Sequence, residues 1–453
     1  MSACMDAPEQ RSTNVGLTMK SQEAAGAMTG ARVELKVAVE RRGGEEPCVV
    51  SWAFFDGDGR GLPFGGVRCE CGGEWLALRA VFGPFEVNSR FVASLLTHRP
   101  ARVLIERLAG VSLDLARIAH ALGFAVAVRL PAMEDCFPAL AGDPLRRRWV
   151  GGALHCASDL LAPLPAADEA GWRAVFPGLP AAASVPPACP ASGAAAVFGY
   201  EAYALGRRDH ALLFTMQEEF AAHFSGCEAV VDAGCGTGVF LEILARRGIA
   251  AVGVERNQVS ARYARSLGHT VFEADALDWL ETHPASCDGL YCSHFIEHLP
   301  AAGAERLLAA VAGALRPGGV ALFVFPDPES IRSQLFGFWR DPEHVRFYHP
   351  ELVAMLAEIH GLALEYDSSR DHSRQPGRRV APFAFEPPLP VAADASPRPW
   401  ARLLRRLGIA PSSDLAAARA RADALEETVR QLWTVNQTWA WDDNAVLRLR
   451  KHE

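Results

Sequence analysis

Lysine is nearly missing from this chain of 453 residues. Only Lys20, Lys36 and Lys451 occur, none lies between residues 37 and 450, and the rest of the 45 basic residues are arginines. An arginine-for-lysine bias of a GC-rich genome accounts for the pattern, but its consequence is chemical. A Schiff-base lysine, a P-loop lysine and a kinase-type lysine are all excluded from the folded body. Long apolar runs are also missing: no stretch reaches the roughly 18 uninterrupted residues of a membrane-spanning helix. The N-terminus carries Asp6 and Glu9 and no apolar core segment, so it does not read as a signal peptide. A cytoplasmic location follows as the expectation, with peripheral attachment at the inner face of a membrane left open. Positive charge is in deficit, with a net charge of −8, which argues against nucleic acid as a partner. The 11 cysteines are odd in number and form no framework, so reduced thiols are expected. Cys69 and Cys71 make a C-x-C without a second pair at zinc spacing, and no metal-ligand set is evident elsewhere.

What is present is apolar material for more than one core: half of the residues are hydrophobic and 22% are charged. The length suggests about three domains. Residues 1–30 are polar and small, a disordered-tail composition. Residues 31–195 begin with a β segment, "ARVELKVAVE" and "EPCVVSWAFF", and continue as a strand, a helix and a strand, "RPARVLIERLAG", "VSLDLARIAHALGF" and "AVAVRLP". That order predicts a small α/β domain built on a β-α-β unit with a parallel sheet. Residues 196–390 form a second α/β region with strands at "EAVVDAG", "AAVGVE", "TVFEAD", "CDGLYCS" and "GVALFVFP". "LALEYD" fits a sixth strand and "RRVAPFAFE" is the candidate for a seventh. Residues 391–411 read as a linker. In residues 412–453, Leu415, Ala418, Ala422, Leu425, Val429, Leu432, Asn436, Trp439 and Val446 fall at heptad a and d positions, although Asp443 weakens the last heptad. This predicts a C-terminal coiled-coil helix that makes homo-oligomers, or a long amphipathic helix folded back on the body.

The densest chemical signal is "VVDAGCGTGVFLEIL", from Val230 to Leu244. A buried strand runs into a Gly-rich turn and then a helix, the arrangement that lets a backbone approach a nucleotide-like ligand. The next strand ends at Glu255, where a carboxylate can accept two ribose hydroxyls. The third ends at Asp275, the fourth runs into "YCSHFIEHL", and "LRPGGVALF" leads into the fifth.

With these motifs in this order, residues 200–365 resemble the class I S-adenosylmethionine-dependent methyltransferases. The resemblance implies a Rossmann-like seven-stranded sheet and S-adenosyl-L-methionine as cofactor. It places the methionine moiety at the loop Asp232, Gly234, Cys235, Gly236 and Gly238, and the ribose at Glu255 beside Arg256. Asp275 and Ala276 would contact adenine, and Ser293 and His294 would lie beside the sulfonium and the acceptor. "SHFIEHL" followed by "FWRDPEHVRFYHPELVAMLAEIHGL" further resembles methyltransferases of bacterial cell-surface polysaccharide synthesis, in which a D-P-x-H-x-R segment follows the fifth strand. This implies a glycan or other sugar-containing acceptor, with Asp341, His344, Arg346 and His349 on the substrate side. Arg346 can grip an anion bidentately, while His349-Pro350 is also a helix-start signal. A sugar hydroxyl is a poor nucleophile, so a base is expected. The expected base is His298, with Glu297 orienting it or the substrate and His294 in reserve.

Residues 80–170 resemble more weakly the N-terminal half of a GT-B glycosyltransferase, without its usual histidines and without its nucleotide-sugar half. A degenerate docking domain, with glycosyltransferases as candidate partners, is the implied role. A small-molecule methyltransferase and a non-catalytic scaffold for glycan enzymes are the competing functional readings.

Overall fold

The computed structural model describes residues 34–130 and 143–179 with short breaks, and residues 200–330, 338–368 and 444–453 without interruption. It also describes residues 333–334, 407, 418–427 and 429. The chain divides into two compact units, Met1–Asp209 and His210–Glu453. The expected tail at 1–30, the linker at 391–411 apart from Leu407, and the strand candidate "RRVAPFAFE" lie outside the described residues.

In the first unit, β1 (Glu34–Glu40), β2 (Cys48–Phe55) and β3 (Val67–Cys71) form an antiparallel meander. α1 (Phe85–His98) follows, then β4 (Arg102–Ile105), α2 (Gly110–Ala121), β5 (Ala125–Val128), α3 (Pro144–His155), β6 (Asp159–Leu160), α4 (Ala166–Val175) and α5 (Tyr200–Gly206). The sheet order is β3-β2-β1-β4-β5-β6. β1 is its hub, antiparallel to β2 and parallel to β4. Leu35 and Val37 alternate inward opposite Phe54 and Trp52, the period of a sheet with one covered face. β4 and β5 pair parallel, as expected for the β-α-β unit, and the β segment joins that unit through β1 in one mixed sheet. α5 belongs here too, because Gly206 lies against Val92 of α1, so the boundary falls at 209 rather than 195. Inside α2, Arg117 is fully buried and donates to the carbonyls of Val81 (3.2 Å) and Trp149 (2.6 Å). Asp114 accepts from the Gly83 amide at 2.6 Å and from Asn88 at 2.7 Å. The two side chains tie the loop before α1 and the body of α3 to α2.

The second unit opens with α6 (His210–Gln217). Then β7 (Val230–Ala233), α7 (Val239–Arg246), β8 (Ala251–Glu255), α8 (Gln258–Ser266), β9 (Val271–Glu273), α9 (Ala276–Thr282) and β10 (Cys287–Ser293) alternate as the sequence predicts. α10 (Ala301–Ala314), β11 (Leu315–Pro326), α11 (Pro350–Ile359) and β12 (Leu362–Asp367) continue the series, and β13 (Asn444–Lys451) ends it. The seven strands order as β12-β13-β11-β10-β7-β8-β9. All pairings between β7, β8, β9, β10 and β11 are parallel, and β13 runs antiparallel to both β11 and β12.

β13 corrects the reading of the C-terminus. Residues 444–451 are not the last heptads of a coiled coil but the seventh strand, seated between β11 and β12. Val446, Leu447 and Leu449 are fully buried, and Arg448 and Arg450 both reach Glu365 of β12. An apolar run covered on both faces does not show strand alternation, so it matched a heptad by spacing alone. Residues 418–427 are helical with exposed side chains, and the remaining a and d positions from 428 to 443, apart from Val429, lie outside the described residues. No helix among the described residues is long and apolar enough to cross a membrane.

Candidate active site

Parallel strands deliver their C-terminal ends to one edge, and the chemistry-bearing residues gather there. Asp232 is buried in β7, flanked by β8 and β10. Beyond Ala233 the chain turns sharply: the amides of Gly234 and Cys235 both donate to the carbonyl of Val254, at 2.9 and 3.1 Å. Gly234 has φ +76°, and a Cβ there would stand 2.7 Å from the Phe295 ring. Gly236 has φ +53°, and a Cβ there would meet nothing within 4 Å. Gly238 is the N-cap of α7.

Glu255 organises this loop. Its carboxylate accepts from the Gly236 amide at 2.9 Å and from the Asn257 amide at 2.6 Å. Asn257 in turn caps α8 by accepting from the Ser260 amide at 2.9 Å. A carboxylate offers about four acceptor sites, so bracing the loop is compatible with accepting ribose hydroxyls. Burial pushes the Asp232 carboxyl well above its ordinary range, and the negative charge of Glu255 adds to the rise. Burial likewise raises the Cys235 thiol, with Asp232 and Glu255 contributing. Asp275 caps α9, accepting from Leu277 (2.9 Å) and Asp278 (3.3 Å), and Ala276 is buried behind it. Arg256 is exposed and pairs with Glu343 at 3.3 Å.

The turn after β10 carries the second group of side chains. Ser293 ends the strand, and His294 takes φ +50° with its amide donating to Val324 at 2.8 Å. His294 Nδ1 lies 3.0 Å from Glu297 Oε1. Glu297 is only 1% exposed, and its Oε2 is buried without a hydrogen-bond partner. The backbone carbonyl of Glu297 accepts from Val345 (2.8 Å) and Arg346 (3.2 Å), which docks the D-P-x-H-x-R segment onto this turn. His344 Nδ1 is 2.7 Å from the Phe338 carbonyl, and its Nε2 is 3.9 Å from Glu297 Oε1. Burial pushes the His344 imidazole below its usual range, with the Glu297 charge opposing. His298 Nδ1 sits 3.2 Å from the Glu343 carbonyl, and its ring stands edge-on to His344 with centroids 4.7 Å apart.

The structure thus brings together His294, Glu297, His298 and His344, but Glu297 hydrogen-bonds His294, where His298 was expected as its partner. Asp341 is buried and shapes its own loop, accepting from the Glu343 amide at 2.9 Å. Arg346 is exposed, with its guanidinium 4.9 Å from the Tyr348 ring. His349 caps α11 by accepting from the Glu351 amide at 3.2 Å, as the His-Pro signal allows. Sequence reading missed Phe295, which wedges the cofactor loop against the 294–298 turn, and Glu343, which joins Arg256 to the His298 side. Phe295 lies inside the quoted motif, but an apolar residue there carries no chemical flag. Tyr348, buried and donating to Leu299 at 2.7 Å, was likewise unmarked.

The residues present fit S-adenosylmethionine. The open space over Gly236 is the cradle a side chain would fill. Burial, with the negative charge of Glu255, raises the Asp232 carboxyl, and a cationic ligand beside these two buried acidic side chains would complete the site. Residues 205–366 match the family described as "Methyltransferase domain". The ubiquinone biosynthesis O-methyltransferase of Idiomarina loihiensis is 33% identical over 130 residues, covering 27% of this chain and 51% of that protein. That of Methylococcus capsulatus is 31% identical over 101 residues, 20% of this chain and 41% of the relative. The chain therefore spans about half or less of these curated relatives. A solved S-adenosylmethionine-dependent methyltransferase from Archaeoglobus fulgidus aligns over 54% of this chain and 96% of its own, at 22% identity and a TM-score of 0.37. Residues 205–366 are a class I S-adenosylmethionine-dependent methyltransferase domain, with S-adenosylmethionine as its cofactor.

Proposed function

We propose that the protein is an O-methyltransferase whose acceptor is a sugar hydroxyl of a bacterial cell-surface glycan. The observation that carries this reading is the pair His294 and Glu297, 3.0 Å apart, on the turn that Phe295 holds against the cofactor loop. With Nδ1–H donated to Glu297, the Nε2 lone pair of His294 is the proton acceptor. His298, whose Nδ1 faces a backbone carbonyl, takes a supporting place instead.

Bound S-adenosylmethionine supplies a methyl group already activated by the sulfonium. The chain's own work is to align the acceptor, exclude water and take the hydroxyl proton on His294 Nε2. Buried Glu297 holds the ring in one tautomer and stabilises the imidazolium that forms. Oxygen as the receiving atom is supported by the curated relatives, which are named O-methyltransferases. The glycan is supported by the D-P-x-H-x-R segment, whose seat on the Glu297 carbonyl puts it beside the pair.

The same relatives favour a second reading, a small hydroxylated metabolite as acceptor. Incubation of the full chain with labelled cofactor and a surface-glycan extract of the source organism separates the two. Label in the polymer is expected, and label confined to small molecules overturns the glycan. His294→Ala should lower kcat by about 10²–10⁴-fold, the usual contribution of a positioned base, with S-adenosylhomocysteine affinity unchanged.

A further inference from the structure

Among the described residues, Glu297, His298 and His344 form a group that can hold a metal ion together. Each offers one ligand atom, and the three atoms lie within 4.8 Å of one another. Three observations give the group a direction. First, each imidazole has its Nδ1 at a backbone carbonyl, His344 at Phe338 (2.7 Å) and His298 at Glu343 (3.2 Å). A ring that donates Nδ1–H in this way presents a bare Nε2 lone pair, the outer-shell arrangement of metal-ligating histidines. Second, the His344 Nε2 faces Glu297 Oε1 at 3.9 Å, so two acceptors confront each other. They are too far apart for a hydrogen bond, and a positive charge between them would reconcile the pair. Third, Glu297 Oε2 is buried without a hydrogen-bond partner, although burying an unpaired carboxylate oxygen is costly. The neighbouring arginines do not supply the charge: Arg256 pairs with Glu343, and Arg346 lies over Tyr348.

We propose that Glu297, His298 and His344 bind one divalent first-row transition cation. Two imidazoles and one carboxylate select Mn²⁺, Fe²⁺, Co²⁺ or Zn²⁺ over the all-oxygen cations Mg²⁺ and Ca²⁺. Ligands at about 2.1 Å in a tetrahedral set stand about 3.4 Å apart, so the group closes by roughly 1 Å on binding. Three protein ligands leave coordination positions open. These positions fit an acceptor with two neighbouring oxygens, a vicinal diol or its aromatic counterpart. This last clause rests on the methyl-transfer reading; the cation site does not.

The test uses the full chain, stripped with a chelator and desalted. Mn²⁺ binding is followed by loss of the free-ion paramagnetic resonance signal, and Co²⁺ binding by its visible absorption. One Mn²⁺ per chain is expected. Glu297→Gln and His344→Ala should each weaken it at least about a hundredfold, since loss of an outer-shell partner alone costs 10–100-fold. Calorimetry with S-adenosylhomocysteine on the same samples reports the cofactor site independently. No Mn²⁺ or Co²⁺ binding by the wild type overturns the proposal, as does equal affinity in both variants. Should those two variants lose S-adenosylhomocysteine binding through misfolding, His298→Ala carries the same expectation from a half-buried position. Failure of the wild type to bind S-adenosylhomocysteine would defeat the methyltransferase reading while leaving the cation result in place.

Discussion

Replacing Gly236 by alanine and, separately, Gly234 by alanine distinguishes the cofactor cradle from the packing beneath it. Both glycines have positive φ, +53° and +76°. Each alanine therefore pays about 1–2 kcal/mol for a left-handed backbone. At Gly236 that is the whole cost to the fold, because a Cβ meets nothing within 4 Å. At Gly234 the Cβ would come within 2.7 Å of Phe295 Cδ2 and 3.3 Å of Cε2, so the ring must move. Overpacking of this kind adds about 1–3 kcal/mol, for a total of about 2–5 kcal/mol. Urea unfolding should show Gly234→Ala destabilised by the larger amount and Gly236→Ala by the smaller. Calorimetry with S-adenosylhomocysteine should show the reverse emphasis. The Gly236→Ala methyl occupies the space assigned to the ligand, and affinity should fall at least tenfold, about 1.4 kcal/mol. Wild-type affinity in a folded Gly236→Ala variant would show that the ligand does not lie over this loop. Equal destabilisation by the two substitutions would refute the Phe295 contact.

Three further outcomes follow from the same geometry. Burial raises the Asp232 carboxyl, so its stabilising share is complete below its unfolded value near ~4 and is lost as pH rises through the folded value. Ligand-free Asp232→Asn should therefore gain on the wild type in melts as pH rises from about 4 to 8, and parallel curves would refute the raised carboxyl. Leu447→Ala should cost about 2–5 kcal/mol in denaturant unfolding, because the side chain is fully buried in β13, whereas a peripheral tail would lose almost nothing. Burial pushes the Cys287 thiol up to about 12, so iodoacetamide at neutral pH should label it only after unfolding, as read by peptide mass spectrometry.

The alternation from β7 to β12 was legible because apolar strand segments alternate with stretches of helical periodicity, and because the glycines after Asp232 meet a backbone demand no other residue meets well. β13 was not legible. Its Ala, Leu and Arg residues are good helix formers, and only pairing with β11 and β12 makes them a strand. The cross-strand partner that stabilises it, Glu365 against Arg448 and Arg450, lies far away in sequence. In the first unit the strands of the meander were visible singly, but β1's parallel partner β4 follows only after α1, so the mixed sheet was hidden. At the site, Glu297 and His298 drew attention by type. Which histidine Glu297 orients depended on the turn geometry, and His344 joined them only through the seating of a distant segment.

That seating gives Glu297 two separable jobs. Its carbonyl holds Val345 and Arg346, and its carboxylate holds His294. The first job belongs to the backbone, so Glu297→Gln leaves the acceptor-side segment docked while removing the charge that orients the ring. A glutamine of the same shape can still accept from His294 Nδ1, but it cannot balance an imidazolium or a cation in a buried setting. Loss of turnover in that variant, with the fold and S-adenosylhomocysteine binding retained, would therefore report the charge alone. Retained turnover would mean that the carboxylate charge is not needed, and that Glu297 serves the site through its backbone and its hydrogen bond to His294.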